Sequence, residues 1–279
     1  MISFTIEREM NWQEFFEKNK ISHRFRQKLF KERSLFLNGE LSKKNQLLKK
    51  DDVVMIKFPR EEADENPEEL SLDILYEDDF LLAINKPPFI LSHPTPNNPC
   101  GTLLNAAAFH FLKIGLKRKV RLINRLDRDT SGIILIAKNP LAHSIISESI
   151  IEKEYLALAE GVIEKAEDIF TPIKKEGIRR VADENGKNAH TAFEILKRYK
   201  DMTLLKVKIF TGKTHQIRVH LESIGHPIIG DSLYGSPCDF IKRQALHSYK
   251  ISFYSLNGEK KTITAPLPSD FKEAVKSER

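Results

Sequence analysis

Cysteine is almost missing from this chain. Cys100 and Cys238 are the only two in 279 residues, and with no CxxC spacing they exclude a disulfide framework and a zinc ribbon. No GxGxxG or other Gly-rich phosphate loop occurs, so the usual signatures of a nucleotide cofactor are absent. No apolar run approaches the roughly 18 residues that a membrane span needs. The start, MISFTIEREM, lacks a basic region followed by an apolar stretch, so no secretory signal is read there. A reducing, cytoplasmic setting is the expectation. His190, His215, His220, His226 and His247 show no HExxH or comparable ligand spacing. On one helix, His215 and His220 would point about 140° apart, so no metal is expected. Residues 61–80 contain no Lys or Arg at all, against 10 Asp/Glu.

That basic-free stretch divides the chain. Residues 1–60 carry 14 Lys/Arg against 8 Asp/Glu, and residues 81–279 carry 31 against 21. Two basic bodies flanking an acidic strap point to a polyanionic partner touched by both. An apolar fraction of 41% is ample for a packed core. The length accommodates one large domain and one small one. The expected division is a small basic domain over 1–60, an acidic linker over 61–71 around Pro67, and a large domain over 72–279.

In the first body, Ile2 to Ile6 alternates like a strand. Asn11 can cap a short helix with Trp12, Phe15 and Phe16 on one face. Ser22 can cap a second, with Phe25, Leu29 and Phe30 inward and Arg24, Arg26, Lys28 and Lys31 largely outward. Leu35 to Leu41 contains Asn38-Gly39, a type I′ hairpin signal, and Val53 to Phe58 closes the unit as a strand. Helix, helix and strands with cations on the second helix resemble the small RNA-binding domain of ribosomal protein S-four. Asp51-Asp52 stands where that domain usually has Gly-Asp.

The large body is organised around Arg125-Leu126-Asp127-Arg128-Asp129-Thr130-Ser131-Gly132. Val120 to Ile123 and Ile133 to Ala137 flank this octet as short, β-branched runs that read as buried strands. A carboxylate among arginines at the mouth of two buried strands is where a reactive Asp can be held ionised. Gly132 permits a positive φ or a close backbone approach.

The octet resembles the central motif of the RluA/RluD-type pseudouridine synthases. The likeness extends over about residues 70–270. Lys86-Pro87-Pro88 ends a strand and is similar to the family's opening motif, with Phe89 in place of Gly. Lys153-Glu154-Tyr155 is similar to its Lys-x-Tyr motif. Thr214-His215-Gln216-Ile217-Arg218-Val219-His220 is similar to its third, with Lys213 where Arg is usual. His226 to Asp231, Leu233-Tyr234-Gly235 and Leu246-His247 continue the pattern. Asn124 stands where His usually precedes the octet. Thr102 and Asn139 can cap further helices, and Thr191–Arg198 and Leu204–Phe210 read as strands. The third motif reads as a helix from Thr214, with His215, Arg218 and Glu222 on one face and Ile217, Leu221 and Ile224 opposite.

The resemblance implies an α+β fold with a mixed, largely antiparallel sheet split by an active-site cleft. It implies isomerisation of uridine in structured RNA to pseudouridine, on ribosomal RNA first and transfer RNA second, without cofactor. Asp127 would be the catalytic carboxylate, Arg218 its ion-pair partner, and Tyr155 the ring stacked on uracil. Arg125 would fill the space left by the displaced base; Arg24, Arg26, Lys28 and Lys31 would bind RNA. A monomer is expected. A non-catalytic RNA-binding protein and an Asp/His hydrolase using Asp127 and His215 are the alternatives at this point.

Overall fold

The computed structural model describes residues 1–58, 61 and 66–276. The chain opens with β1 (Ile2–Thr5), α1 (Trp12–Lys18), α2 (His23–Lys31), β2 (Leu35–Leu37), β3 (Glu40–Leu41) and β4 (Val53–Ile56). The strands form an antiparallel sheet in the order β1-β4-β2-β3. Asn11 and Ser22 cap the two helices, accepting from the backbone of Glu14 and Phe25. Asn38 and Gly39 both take positive φ, as a type I′ turn requires. Asp51 also has a positive φ, +69°, so this chain keeps the left-handed turn that glycine would supply and accepts strain of about 1–2 kcal/mol.

The second part runs β5 (Ile74–Glu77), β6 (Leu81–Lys86), α3 (Leu103–Lys113), β7 (Arg121–Leu122), β8 (Ser131–Ala137), α4 (Pro140–Ser149), β9 (Ile150–Glu160), β10 (Glu167–Ile169), β11 (Ile173–Glu176), β12 (Arg179–Ala182), β13 (Thr191–Arg198), β14 (Met202–Ile209), α5 (Gln216–Ser223), β15 (Leu246–Tyr254), β16 (Lys260–Thr264) and α6 (Ser269–Lys276). Its main sheet has the order β10-β13-β14-β9-β15-β8-β6-β5, with β16 beside β15 and β7 beside β8. Every pairing is antiparallel except β15 with β8. The sheet is mixed and largely antiparallel, and the fold is α+β.

All of β8 is buried, because helices cover both faces of the sheet. Ile134 and Ile136 face the core formed with Phe111 of α3, Ile217 and Leu221 of α5 and Phe271 of α6. Ile133 and Leu135 face the opposite way, onto Ala142 and Ile146 of α4. The other side of α4, Leu141 and Ile145, completes the core of the N-terminal part with Trp12, Phe15, Phe16 and Leu29. One helix thus serves two cores, which is why its apolar residues come in adjacent pairs. Glu61 strengthens the join: its carboxylate takes Lys28 of α2 at 3.4 Å and also Arg121 of β7.

Part of the acidic stretch, residues 62–65, lies outside the described residues. Beyond it the chain is docked rather than free. Asn105 of α3 donates to the Asn66 carbonyl, and Glu68 accepts from the Gly101 backbone.

Candidate active site

The loop 124–130 precedes β8, and each carbonyl from Leu126 to Asp129 has a donor. Ser92 takes the Leu126 carbonyl at 2.7 Å, and the Thr130 backbone takes that of Asp127 at 3.1 Å. Lys86 takes the Arg128 carbonyl at 2.8 Å, and Arg243 takes that of Asp129 at 3.1 Å. Lys86 is fully buried and also donates to Pro87 and Ile90, so three carbonyls use the three protons of its ammonium form. Burial pulls its pKa down to about 7, against the pull of the Asp129 carboxylate. Arg243 is anchored by Asp270 at 2.7 and 2.9 Å.

Gly132 meets both conditions that the sequence left open. Its φ is +111°, and a Cβ would stand 2.2 Å from the Ser248 carbonyl of β15. Asn124, in the place of the family's His, braces β8 by donating to the Ile133 carbonyl and accepting from the Leu135 backbone. Phe89, in the place of a glycine, keeps a left-handed φ of +69° and is exposed at the loop rim.

Asp127 projects from this loop, about one-quarter exposed. Its arginine partner is neither neighbour in the octet. Arg125 points outward, and Arg128 pairs with Asp129 at 2.7 Å. Arg218 of α5 reaches across instead, donating from Nη1 to Asp127 Oδ2 at 3.0 Å. The other edge of its guanidinium is taken by buried Asp231, Nε to Oδ2 at 2.6 Å and Nη2 to Oδ1 at 2.8 Å. Tyr234 lies beneath, its ring centroid 4.9 Å from the guanidinium carbon. Burial alone would lower the Arg218 pKa, but Asp231 and Asp127 together hold it above the ordinary value.

α5 differs from the helix read in the sequence. It starts at Gln216, and His215 sits before it in left-handed backbone, φ +57°. The cause is the Gln216 side chain, which accepts from the Lys213 backbone and the Thr211 hydroxyl and ties off the preceding turn. His215 is therefore not on a helical face shared with Arg218 and Glu222. Nor is the helix amphipathic: Gln216 to Leu221 are all buried, with His220 bonded to Thr191 and to the Thr171 carbonyl.

Tyr155 lies on β9 between Val207 and Ser248, with 6% of its surface exposed. Burial, with the Asp127 carboxylate adding to it, pushes its hydroxyl up to about 12, so the phenol stays protonated. Arg24 and Lys31 are exposed on α2, while Arg26 covers the Phe16 ring and Lys28 pairs with Glu61. None of these four touches the Asp127 set. Lys86, Asp231, Tyr234 and Arg243 have no role read from sequence; three of them, Lys86, Asp231 and Tyr234, stand at motif positions, and Arg243 stands outside every motif. Among the described residues, no three His, Cys, Asp or Glu side chains converge on a metal-sized site.

The chain has relatives. The family described as RNA pseudouridylate synthase matches residues 80–223. A Bacillus subtilis relative, "Uncharacterized RNA pseudouridine synthase YjbO", is 40% identical over 255 residues, covering 88% of this chain and 90% of its own. The chain belongs to the RluA/RluD-type RNA pseudouridine synthases. "Ribosomal large subunit pseudouridine synthase D" of Haemophilus ducreyi is 35% identical over 239 residues, covering 78% and 74% of the two chains. The solved structure titled "Human RNA Pseudouridylate Synthase Domain Containing 1" superposes with a TM-score of 0.59 at 25% identity, covering 73% of this chain and 86% of that one. As a pseudouridine synthase, the protein isomerises uridine in RNA, which retires the readings as a hydrolase and as a non-catalytic binder.

Proposed function

We infer that Asp127 is the catalytic carboxylate and that the substrate is ribosomal RNA. The observation that carries the first part is the Asp231–Arg218–Asp127 chain, which holds one oxygen of a partly exposed carboxylate by an ion pair. The reaction breaks the bond between the ribose and uracil N1, turns the base, and joins the ribose to C5. The C5 proton is lost and N1 gains one, so nothing is consumed. A fixed carboxylate can bond to the sugar or ring, or face a developing sugar cation. Tyr155 supplies its ring to the base, and its protonated hydroxyl is a donor rather than a base at neutral pH.

Ribosomal RNA is favoured by the names of the large-subunit relatives. We assign to Arg125, which is exposed two residues before Asp127, the space in the stack that the uridine leaves, a step costing about a few kcal/mol. We read residues 1–60 as an RNA-binding domain packed on α4 and presenting Arg24 and Lys31, with 72–279 as the catalytic domain. We read the protein as a monomer, and a ribosomal substrate supports a cytoplasmic location. No described helix is long and apolar enough to cross a membrane.

The test is a map of pseudouridine across all cellular RNA, with the gene intact, deleted, and carrying Asp127→Asn. A ribosomal position should disappear in the second and third strains. A site found only in transfer RNA would refute the substrate, and a fully modified map with Asp127→Asn would refute the carboxylate.

A further inference from the structure

Both protein donors that approach Asp127 address the same oxygen. Arg218 Nη1 lies 3.0 Å from Oδ2 and His215 Nε2 lies 3.9 Å from it. Among the described residues no hydrogen bond reaches Oδ1. His215 is itself held from behind. Its Nδ1 is 2.9 Å from the Tyr234 hydroxyl, and that hydroxyl accepts the Arg180 backbone N–H at 2.7 Å. Accepting from Arg180, the Tyr234 hydroxyl keeps its own proton free to donate to His215 Nδ1, the direction we assign to this contact. A neutral imidazole that accepts at Nδ1 must carry its proton at Nε2. The N–H then faces the carboxylate.

The charges around the ring agree with a neutral imidazole. Burial lowers the His215 pKa, Arg218 and Arg180 lower it further, and Asp127 and Asp231 oppose them; the net direction is down. The left-handed backbone at His215 is one that few residues besides Gly, Asn and Asp adopt. Here it swings the ring off the helix axis and between Asp127 and Tyr234, where a helical residue 215 would not stand.

The geometry points to His215 as a positioning residue of the isomerisation: set in its Nε2–H form by Tyr234, it steadies Asp127 Oδ2 and leaves Oδ1 as the oxygen that meets the substrate. At 3.9 Å the contact is longer than a hydrogen bond, and it shortens when the substrate fills the cleft and displaces water. The proposal rests on the reading of Asp127 as the catalytic carboxylate.

The experiment measures kcat and KM by tritium release from RNA labelled at uracil C5 and prepared from cells lacking the gene. His215→Leu should lower kcat about tenfold or more with little change in KM, since a hydrogen bond to a charged group is lost. His215→Gln, which returns an N–H near the Nε2 position, should recover most of that loss. Tyr234→Phe keeps the ring under Arg218 but frees the imidazole to change tautomer. Its kcat relative to the native protein should fall as pH rises from about 5 to 8, because only the protonated ring is certain to donate. A merely structural role predicts a flat ratio. That flat ratio, or a native kcat in His215→Leu, overturns the proposal. Should the Leu variant fail to fold by circular dichroism, His215→Asn, at home in left-handed backbone, takes its place. Asp127→Asn is run alongside: if it retains activity, the reading of the carboxylate falls; if it is inert while the His215 and Tyr234 variants are native, only this inference does.

Discussion

Asp231 grips Arg218 by two nitrogens, at 2.6 and 2.8 Å, and leaves the third for Asp127. Orientation of the guanidinium is thus decided by a residue that never meets the substrate.

Asp231→Asn should therefore lower kcat at least tenfold while RNA affinity stays close to native. It also leaves a buried cation with half its compensation, at a cost of about 3–5 kcal/mol. Arg218→Lys should fare no better, since an ammonium cannot bridge two carboxylates in a fixed plane. Urea unfolding and single-turnover rates check both; an Asp231→Asn enzyme with native rate and stability contradicts the role assigned to the pair.

Lys86→Met should loosen the loop that carries Asp127. Three carbonyls lose their donor, one of them that of Arg128, and the destabilisation is on the order of 3 kcal/mol. Activity should fall along with stability. A native melting temperature would show that water satisfies those carbonyls as well as the lysine does.

His247 makes folding sensitive to acid. It is buried and bonded to Ser131 Oγ at 2.9 Å, and burial pulls its pKa from 6.5 down to about 4. Between those values the unfolded chain binds a proton that the folded chain refuses. Stability therefore falls as pH falls from 6.5 toward 4, by about 3 kcal/mol from this group, and is fully retained above 6.5. His247→Gln should flatten that part of the stability–pH curve. Parallel curves for the two proteins would exclude the assignment.

Tyr155→Phe should bind RNA like the native enzyme, since stacking needs only the ring; Tyr155→Ala should lose roughly 1–3 kcal/mol of binding. Equal affinities for Ala and native would make Tyr155 a packing residue. The N-terminal cations call for charge reversal rather than deletion, because removing residues 1–60 would uncover Leu141 and Ile145. Arg24→Glu with Lys31→Glu should reduce the log–log salt slope of RNA binding by about 0.7–0.9 per lost phosphate contact. An unchanged slope would take RNA contact away from α2.

Local signals were the legible ones. Asn11, Ser22, Thr102 and Asn139 each cap the helix expected after them, because capping depends on a donor three residues away. The strand identity of β8 and the turn at Asn38-Gly39 are equally local. Arg218 was placed opposite Asp127 only through likeness to a family, since 91 residues separate the two. The start of α5 was misplaced because Gln216 folds back on Thr211 and Lys213, a competition that helical periodicity does not register. The roles of Lys86 and Arg243 are not legible locally, because the loop groups they hold, the carbonyls of Arg128 and Asp129, carry no sequence identity.

The double-sided helix α4 has a consequence for how RNA is chosen. Since one helix is the wall of both cores, the exposed cations of α2 cannot swing freely about a hinge relative to Asp127. If RNA lays its phosphates on α2 as proposed, the span between them works as a caliper: the uridine reaches Asp127 only when the RNA's own fold matches that fixed distance.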